Sequence, residues 1–304
     1  MPRVRLRTNA KVNLFLRVLG ERLDGYHEVE TVLHGVGLAD DIEITSTTGG
    51  AVEIDMSFSG SSRVQLPKVE ENVIWEVAQG LIRRGALNQG IAIKVVKRIP
   101  IGAGLGGGSG NAAGALVALN ELWEMGMAPA DLEELAAAIG SDVPYCLNGG
   151  TALATSRGEA LTALPAPADM WFVLGISHEP LLTRDVYARW RPGAIEREVR
   201  SAPMTLALGG EDVAEVAYLL HNDLEPAVFE MRPELEEKKG LLLEAGALGA
   251  LVSGSGPTLF AVASDEIRAR DIEDKVAGTF DQTVVVPSQP NCIERVTESE
   301  PHVG

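Results

Sequence analysis

The sequence predicts an α+β protein of two domains. Three observations carry this prediction: strand and helix patterns interleave along the whole 304-residue chain, a glycine-dense stretch joins an apolar strand to a helix near residue 100, and Pro165-Ala166-Pro167-Ala168 interrupts the pattern near its middle. The expected domains are residues 1–164 and 165–304.

Hydrophobic residues make up 45% of the chain and the mean hydropathy is +0.08, as expected of a soluble globular protein with a full core. No apolar run approaches the roughly 18 residues of a membrane span. The N-terminus MPRVRLRTNA lacks the apolar centre of a signal peptide, so a cytoplasmic location and no membrane partner are expected. Two cysteines, Cys146 and Cys292, make neither a disulfide framework nor a metal motif. A net charge of −17 argues against nucleic acid as a partner. The basic residues Arg3, Arg5, Arg7, Lys11, Arg17, Lys94, Lys97 and Arg98 nevertheless gather in the first third, where a small anion would find local positive charge. The sequence leaves a monomer and a homodimer equally open.

Residues 4–19 alternate, which predicts a strand with Lys11 and Asn13 on one face; on an isolated strand such a face is solvated. Asp24-Gly25-Tyr26-His27-Glu28 follows as a turn, and strands are expected over 30–38, 41–45 and 51–59. The apolar stripe Ile74, Ala78, Leu81, Ile82 predicts a helix over 72–84. A strand over 91–96 leads into the glycine stretch, and a helix over 112–123 leaves it. Pro129 opens another helix, with Leu132, Leu135, Ala136 and Ile139 toward the core and Gly140 at its end. In Ser141-Asp142-Val143-Pro144-Tyr145, just after that stop, the acid is placed either to cap a helix or to do chemistry. Residues 151–164 read as a hairpin broken at Ser156-Arg157-Gly158.

Beyond the Pro-Ala break the pattern is a strand over 171–176, helices over 183–190 (Thr183 as N-cap), 212–220 and 234–244, strands over 248–253 and 258–263, a helix over 265–276 and a strand over 283–286. This order suits a ferredoxin-like sandwich with an extra helix or two. Ser253-Gly254-Ser255-Gly256-Pro257 falls between its two middle strands, as a turn would. Residues 290–304 show no core pattern and are expected to be loosely held.

The stretch from Pro100 to Ala113 has glycine at six of its first eleven positions. Glycines between a strand and a helix let backbone N–H groups approach an anion, and the helix N-terminus adds partial positive charge. Gly102-x-Gly104-x-x-Gly107 also fits a dinucleotide fingerprint, but it lies about 100 residues into the chain, and the acids at suitable distance, Glu121 and Glu124, fall in the helix itself. No Gly-Lys-Ser/Thr follows, so it is not a P-loop. A phosphate cradle of another design is expected.

Three segments together, Ala10-Lys11-Val12-Asn13-Leu14, Pro100 to Ala113 and Val252-Ser253-Gly254-Ser255-Gly256-Pro257, resemble the three motifs of the GHMP kinase superfamily in order and spacing. Asp24-Gly25-Tyr26-His27-Glu28, Gly106-Gly107-Gly108-Ser109, Gly140-Ser141-Asp142-Val143-Pro144-Tyr145 and Gly149-Gly150-Thr151-Ala152-Leu153 are similar to its members that phosphorylate a hydroxyl of a cytidine-diphosphate-linked methylerythritol, on the non-mevalonate route to isoprenoid precursors. The resemblance implies an N-terminal domain like ribosomal protein S5 domain 2, a ferredoxin-like C-terminal domain, and an active site between them using ATP and Mg²⁺. It implies Lys11 and Asp142 as the catalytic pair, and Asn13, Tyr26, His27, Thr183 and Tyr187 as substrate-binding residues. It implies Asn72 and Lys97 near the nucleotide, with Pro100, Gly102, Gly104, Leu105, Gly106, Gly107, Gly108 and Ser109 as the cradle. Metal ligands are not indicated. Members often carry a second serine where this chain has Gly110. Kinases of mevalonate or homoserine, and a non-catalytic nucleotide-binding regulator, are the alternative readings; Tyr26-His27 argues against the first and the Lys11/Asp142 pair against the second.

Overall fold

In the computed structural model, residues 1–59, 66–85, 90–167, 169–194 and 200–297 are described; Ala168 of the expected domain break and residues 298–304 of the tail lie outside them. The first sheet is built on a long antiparallel pair, β1 (Arg3–Glu21) and β2 (His27–Thr47), joined by the turn that carries Asp24 and Gly25. The strands expected over 30–38 and 41–45 are therefore one. Asp40 lies between them, and the sheet continues through it because its fully buried carboxylate is saturated by hydrogen bonds from the next strand and helix.

β3 (Val52–Phe58) lies parallel to β4 (Gly90–Lys97), which pairs antiparallel with β2. Between them α1 (Val73–Arg83) starts on Asn72, whose side-chain oxygen accepts the Ile74 N–H at 2.9 Å. α2 (Gly107–Leu122) starts at Gly107 rather than at 112, so Gly107 to Asn111 are helical. Its glycines and alanines let it lie close on β1: a Cβ at Gly114 would stand 2.7 Å from Thr8 Cγ2. α3 (Pro129–Ile139) and the short α4 (Val143–Asn148) follow, then the hairpin β5 (Thr151–Thr155) and β6 (Ala160–Leu164), with β5 paired to β2.

The second sheet comprises β7 (Trp171–Ile176), then, after α5 (Thr183–Arg189), α6 (Ser201–Ala207), α7 (Val213–Tyr218), β8 (His221–Asn222), α8 (Glu225–Met231) and α9 (Glu234–Glu244), the strands β9 (Gly249–Val252) and β10 (Leu259–Ala263), and, after α10 (Glu266–Lys275), β11 (Gln282–Pro287). Its order β11-β7-β10-β9, antiparallel throughout, is the ferredoxin-like arrangement expected. The short helices α6 and α8 were not apparent in the sequence.

Two segments return to the first sheet. β8 pairs with β1 at Phe15 and Leu16, and β12 (Ile293–Arg295) pairs with β1 at Leu6 to Thr8. The expectation of a loosely held tail is thus corrected for residues 290–295. The edge of β1 needs hydrogen-bond partners, and the tail supplies them: Asn9 N donates to Cys292 O at 2.7 Å and Asn9 Nδ2 to Asn291 O at 2.8 Å. A buried cluster containing Val12, Leu14, Phe15, Val36, Phe172, Leu174 and Phe260 joins both sheets in one core. The other face of β1 carries Lys11 and Asn13, which are 4% and 3% exposed because the chain at Gly106 and Gly254 closes against them, so that face is not solvated as the strand alone suggested.

His34 on β2 is buried, with Nδ1 2.7 Å from Thr151 Oγ1 and Nε2 2.8 Å from Ser288 Oγ. Burial lowers its pKa to about 4. The unfolded chain takes up this proton near pH 6.5 and the folded chain only near 4. Stability from this site is therefore complete above about pH 6.5 and declines as the pH falls toward 4. The melting temperature of His34→Gln should fall less steeply than that of the wild type across this window; an equal slope would assign the acid sensitivity elsewhere.

Candidate active site

The glycine stretch leaves β4 and turns back over β1. Gly102, Gly104 and Gly106 have φ of +69°, +77° and +72°, in the left-handed region that glycine alone enters without penalty. They alternate with Ala103 and Leu105, whose side chains are anchored in the core at 2% and 1% exposure. This alternation makes a loop fixed on one side and open backbone on the other, continuous with the first turn of α2.

The three sequence motifs meet here. Lys11 N donates to Leu105 O at 3.0 Å, and Ser253 Oγ donates to Gly104 O at 2.9 Å. A side chain at Gly104 is excluded, since a Cβ would lie 2.1 Å from Ser253 O. Ser253-Gly254-Ser255-Gly256-Pro257 does connect β9 to β10, but it also forms a wall of the site. Asn222, which sequence reasoning missed, holds that wall: its Nδ2 donates to Val252 O at 2.9 Å and Gly254 O at 2.8 Å.

Lys11 Nζ stands 3.4 Å from Asp142 Oδ2 and donates to Asn13 Oδ1 at 2.8 Å. Asn13 Nδ2 in turn donates to Thr31 Oγ1 at 2.9 Å, and Thr31 Oγ1 to Phe15 O at 2.7 Å. The ammonium is thereby aimed by a buried chain of side chains, while the Asp142 carboxylate is 35% exposed and accessible. Asp142 occupies the cap position of α4 without making a side-chain capping bond, which removes capping as the reason for this acid.

A cleft of about 1000 Å³ runs from α1 past the loop to α5. Lys11, Asn13, Tyr26, His27, Asn72, Lys97, Asp142, Thr183 and Tyr187 all line it, together with Pro100, Gly102 and Gly104 to Ser109. Val73, beside Asn72 at the start of α1, also lines it. Beside α5, the His27 ring lies 4.9 Å from the Tyr187 ring and 5.7 Å from the Trp190 ring, and the Arg157 guanidinium lies 5.1 Å above Tyr26. His27 Nε2 is buried with no hydrogen bond among the described residues, a polar group left for a ligand. Desolvation pushes the Tyr187 hydroxyl pKa up, so this phenol stays neutral.

Three details differ from expectation. Leu182, not Thr183, is the N-cap of α5, and the Thr183 hydroxyl lies 3.0 Å from Ser255 Oγ, linking α5 to the third motif. Lys97 reaches the cleft wall with its ammonium already paired to Asp40 and 3.0 Å from Asn111 Oδ1. Gly110 is buried, and a Cβ there would face Thr8 Cβ at 3.5 Å and Asn9 O at 3.6 Å, away from the cleft. The missing second serine therefore takes no hydroxyl from the cleft. Arg22 and Arg157, also on its wall, come from turns with no distinguishing pattern in the sequence.

Among the described residues no helix is long and apolar enough to cross a membrane. Residues 72–150 match the model of the GHMP kinases N terminal domain and residues 205–282 that of the GHMP kinases C terminal domain. The 4-diphosphocytidyl-2-C-methyl-D-erythritol kinase of Pelotomaculum thermopropionicum is 43% identical over 276 residues, which cover 91% of this chain and 94% of that protein. A crystal structure of 4-(cytidine 5'-diphospho)-2C-methyl-D-erythritol kinase superposes with a TM-score of 0.76 at 30% identity, covering 94% of this chain and all of that one. The homoserine kinase of Cytophaga hutchinsonii superposes with a TM-score of 0.77 at 21% identity, covering 97% of this chain and 98% of that one, which shows a common fold. With motifs, fold and relatives in agreement, the chain belongs to the 4-diphosphocytidyl-2-C-methyl-D-erythritol kinase family of GHMP kinases.

Proposed function

We propose that this protein transfers the γ-phosphoryl group of ATP to the 2-hydroxyl of 4-diphosphocytidyl-2-C-methyl-D-erythritol, on the non-mevalonate route to isoprenoid precursors, and does so in the cytoplasm. The observation that carries the reading is the Lys11–Asp142 pair, 3.4 Å apart, standing beside the glycine loop in a cleft whose far end is an aromatic corner. In this assignment residues 1–164 carry the ATP site, and residues 165–304 add Thr183, Tyr187 and the wall at Gly254.

The loop N–H groups from Gly102 to Ser109 and the N-terminus of α2 take the triphosphate, and Asn72 at the start of α1 takes the nucleoside end. Mg²⁺ neutralises phosphate charge when bound. Ser109 Oγ and the Asp142 carboxylate, both lining the cleft, are the hard oxygens that would hold it. His27 offers its unpartnered Nε2 to the base and Tyr187 its ring face, while Tyr26 and Asn13 bind the rest of the cytidine diphosphate moiety.

Asp142 orients the attacking hydroxyl and receives its proton as that oxygen bonds to the γ-phosphorus and the bond to the β-bridging oxygen breaks, releasing ADP. A carboxylate is a weak base for an alcohol, so orientation contributes more than deprotonation. Lys11 sits between Asp142 and the loop, where its charge stabilises the negative oxygens of the transferring group.

Asp142→Asn keeps the shape of the site and removes the proton acceptor. It should lower kcat by at least about 10²-fold, the lower range for loss of general acid–base catalysis, with ATP still bound. Near-normal turnover would remove Asp142 from the mechanism. Tyr187→Ala should raise KM for the cytidylyl substrate by roughly tenfold, the value of one base–aromatic stack, and leave KM for ATP unchanged. An unaltered KM for the cytidylyl substrate would make this ring a packing group. Mevalonate and homoserine in the same ATP-consumption assay are expected to give no turnover.

A further inference from the structure

The pairing of Lys97 leads to a residue of the site that carries none of the sequence motifs. Asp40 lies in the middle of β2 and is 0% exposed. Its Oδ1 accepts the main-chain N–H of Arg98 at 2.7 Å and of Ile99 at 2.9 Å. Its Oδ2 accepts from Asn111 Nδ2 at 2.9 Å and from Lys97 Nζ. Arg98 and Ile99 immediately precede the glycine loop, and Asn111 lies on α2 just beyond it. One buried carboxylate therefore grips the chain on both sides of the loop. Asn111 Nδ2 also lies 3.0 Å from Thr8 Oγ1, which ties the same network to the strand that carries Lys11.

We propose that Asp40 is the positioning residue of the triphosphate loop, and that Lys97 acts as its buried counter-ion rather than as a ligand of the triphosphate. The inference rests on the kinase reading above. Lys97 has a side-chain exposure of 3%, and its ammonium is shared between Asp40 and Asn111. To grip a phosphate it would have to strip a fully buried carboxylate of its cation, which is strongly unfavourable. The start of α2 also packs against this pair: a Cβ at Gly107 would lie 3.1 Å from Lys97 Nζ and 2.7 Å from Ile99 Cγ2. The charge of the triphosphate is met instead by the N–H groups of the loop, whose two flanks Asp40 holds in place, and by Lys11, whose only acidic partner among the described residues is the partly exposed Asp142.

A double-variant cycle on the full-length chain tests this, with KM for each substrate, ATP affinity by calorimetry and the melting temperature measured for Asp40→Asn, Lys97→Met and the two combined. Each single change leaves a buried group without its counter-charge. Each should raise KM for ATP by about tenfold, within the range of coupled neighbours, with KM for the cytidylyl substrate within about twofold of wild type. The combined variant removes both charges and should return to within about threefold of the wild-type ATP affinity. A combined variant no better than Lys97→Met would make Lys97 a phosphate ligand and overturn the proposal. So would an Asp40→Asn protein that melts lower with KM for ATP unchanged, because Asp40 would then serve stability alone. If Asp40→Asn does not fold, Lys97→Met against the combined variant decides by the same criterion. Failure of the wild type to turn over the cytidylyl substrate would count against the kinase reading, whereas the calorimetric comparison counts for or against Asp40.

Discussion

The site depends on how closely the chain can approach one lysine. The stem of Lys11 passes between Gly106 and Gly254: a Cβ at Gly106 would stand 2.9 Å from Lys11 Cγ, and one at Gly254 would stand 3.4 Å from Lys11 Nζ and 3.1 Å from Asn13 Oδ1. Both glycines have positive φ. Two glycine clusters about 150 residues apart thus close on a single buried side chain, and the space left leads its ammonium to Asp142. A buried cation needs its partners in fixed positions, and Asn13 and Asp142 provide them.

This closure requires the two sheets to be held together rigidly, and the molecule does so in several ways. Apolar residues of β1 and β2 share a core with Phe172, Leu174 and Phe260 of the second sheet. The chain then crosses back twice, as β8 and as β12, to pair with β1, the strand that carries Lys11. Asn222 on β8 fixes Gly254, so the same crossing that pairs the strand also sets the wall facing the lysine. The geometry around Lys11 and the packing of the two sheets are therefore one constraint: loosening the sheet contact moves Gly254 away from Lys11.

The electrostatics follow a similar economy. A chain of net charge −17 must bind two anionic substrates, and the cations on the cleft wall each have an acidic neighbour: Asp142 for Lys11, Glu28 for Arg22, Asp40 for Lys97, Glu159 for Arg157 and Asp185 for Arg184. In the proposed function, recognition of phosphate rests accordingly on oriented backbone N–H groups at the loop and helix start, which carry no net charge to be offset. The global field slows encounter with anions; it does not weaken a contact made inside a shielded cleft.

Periodicity and punctuation by themselves determined most of the elements and the phosphate loop, because strand alternation, the α1 stripe and dense glycine are local in their causes. Motif likeness singled out Lys11, Asp142, His27 and Tyr187, which the fold then brings to one cleft. Only the tertiary structure decided that Lys11 and Asn13 are buried, that Asp142 pairs instead of capping, that Gly110 faces β1 and that residues 293–295 form a strand. Each of these depends on what lies across from the residue, and that neighbour comes from a remote part of the chain. Asp40 is the clearest case: in sequence it is an acid between two apolar runs, and its role appears only where β4 and α2 converge on its carboxylate.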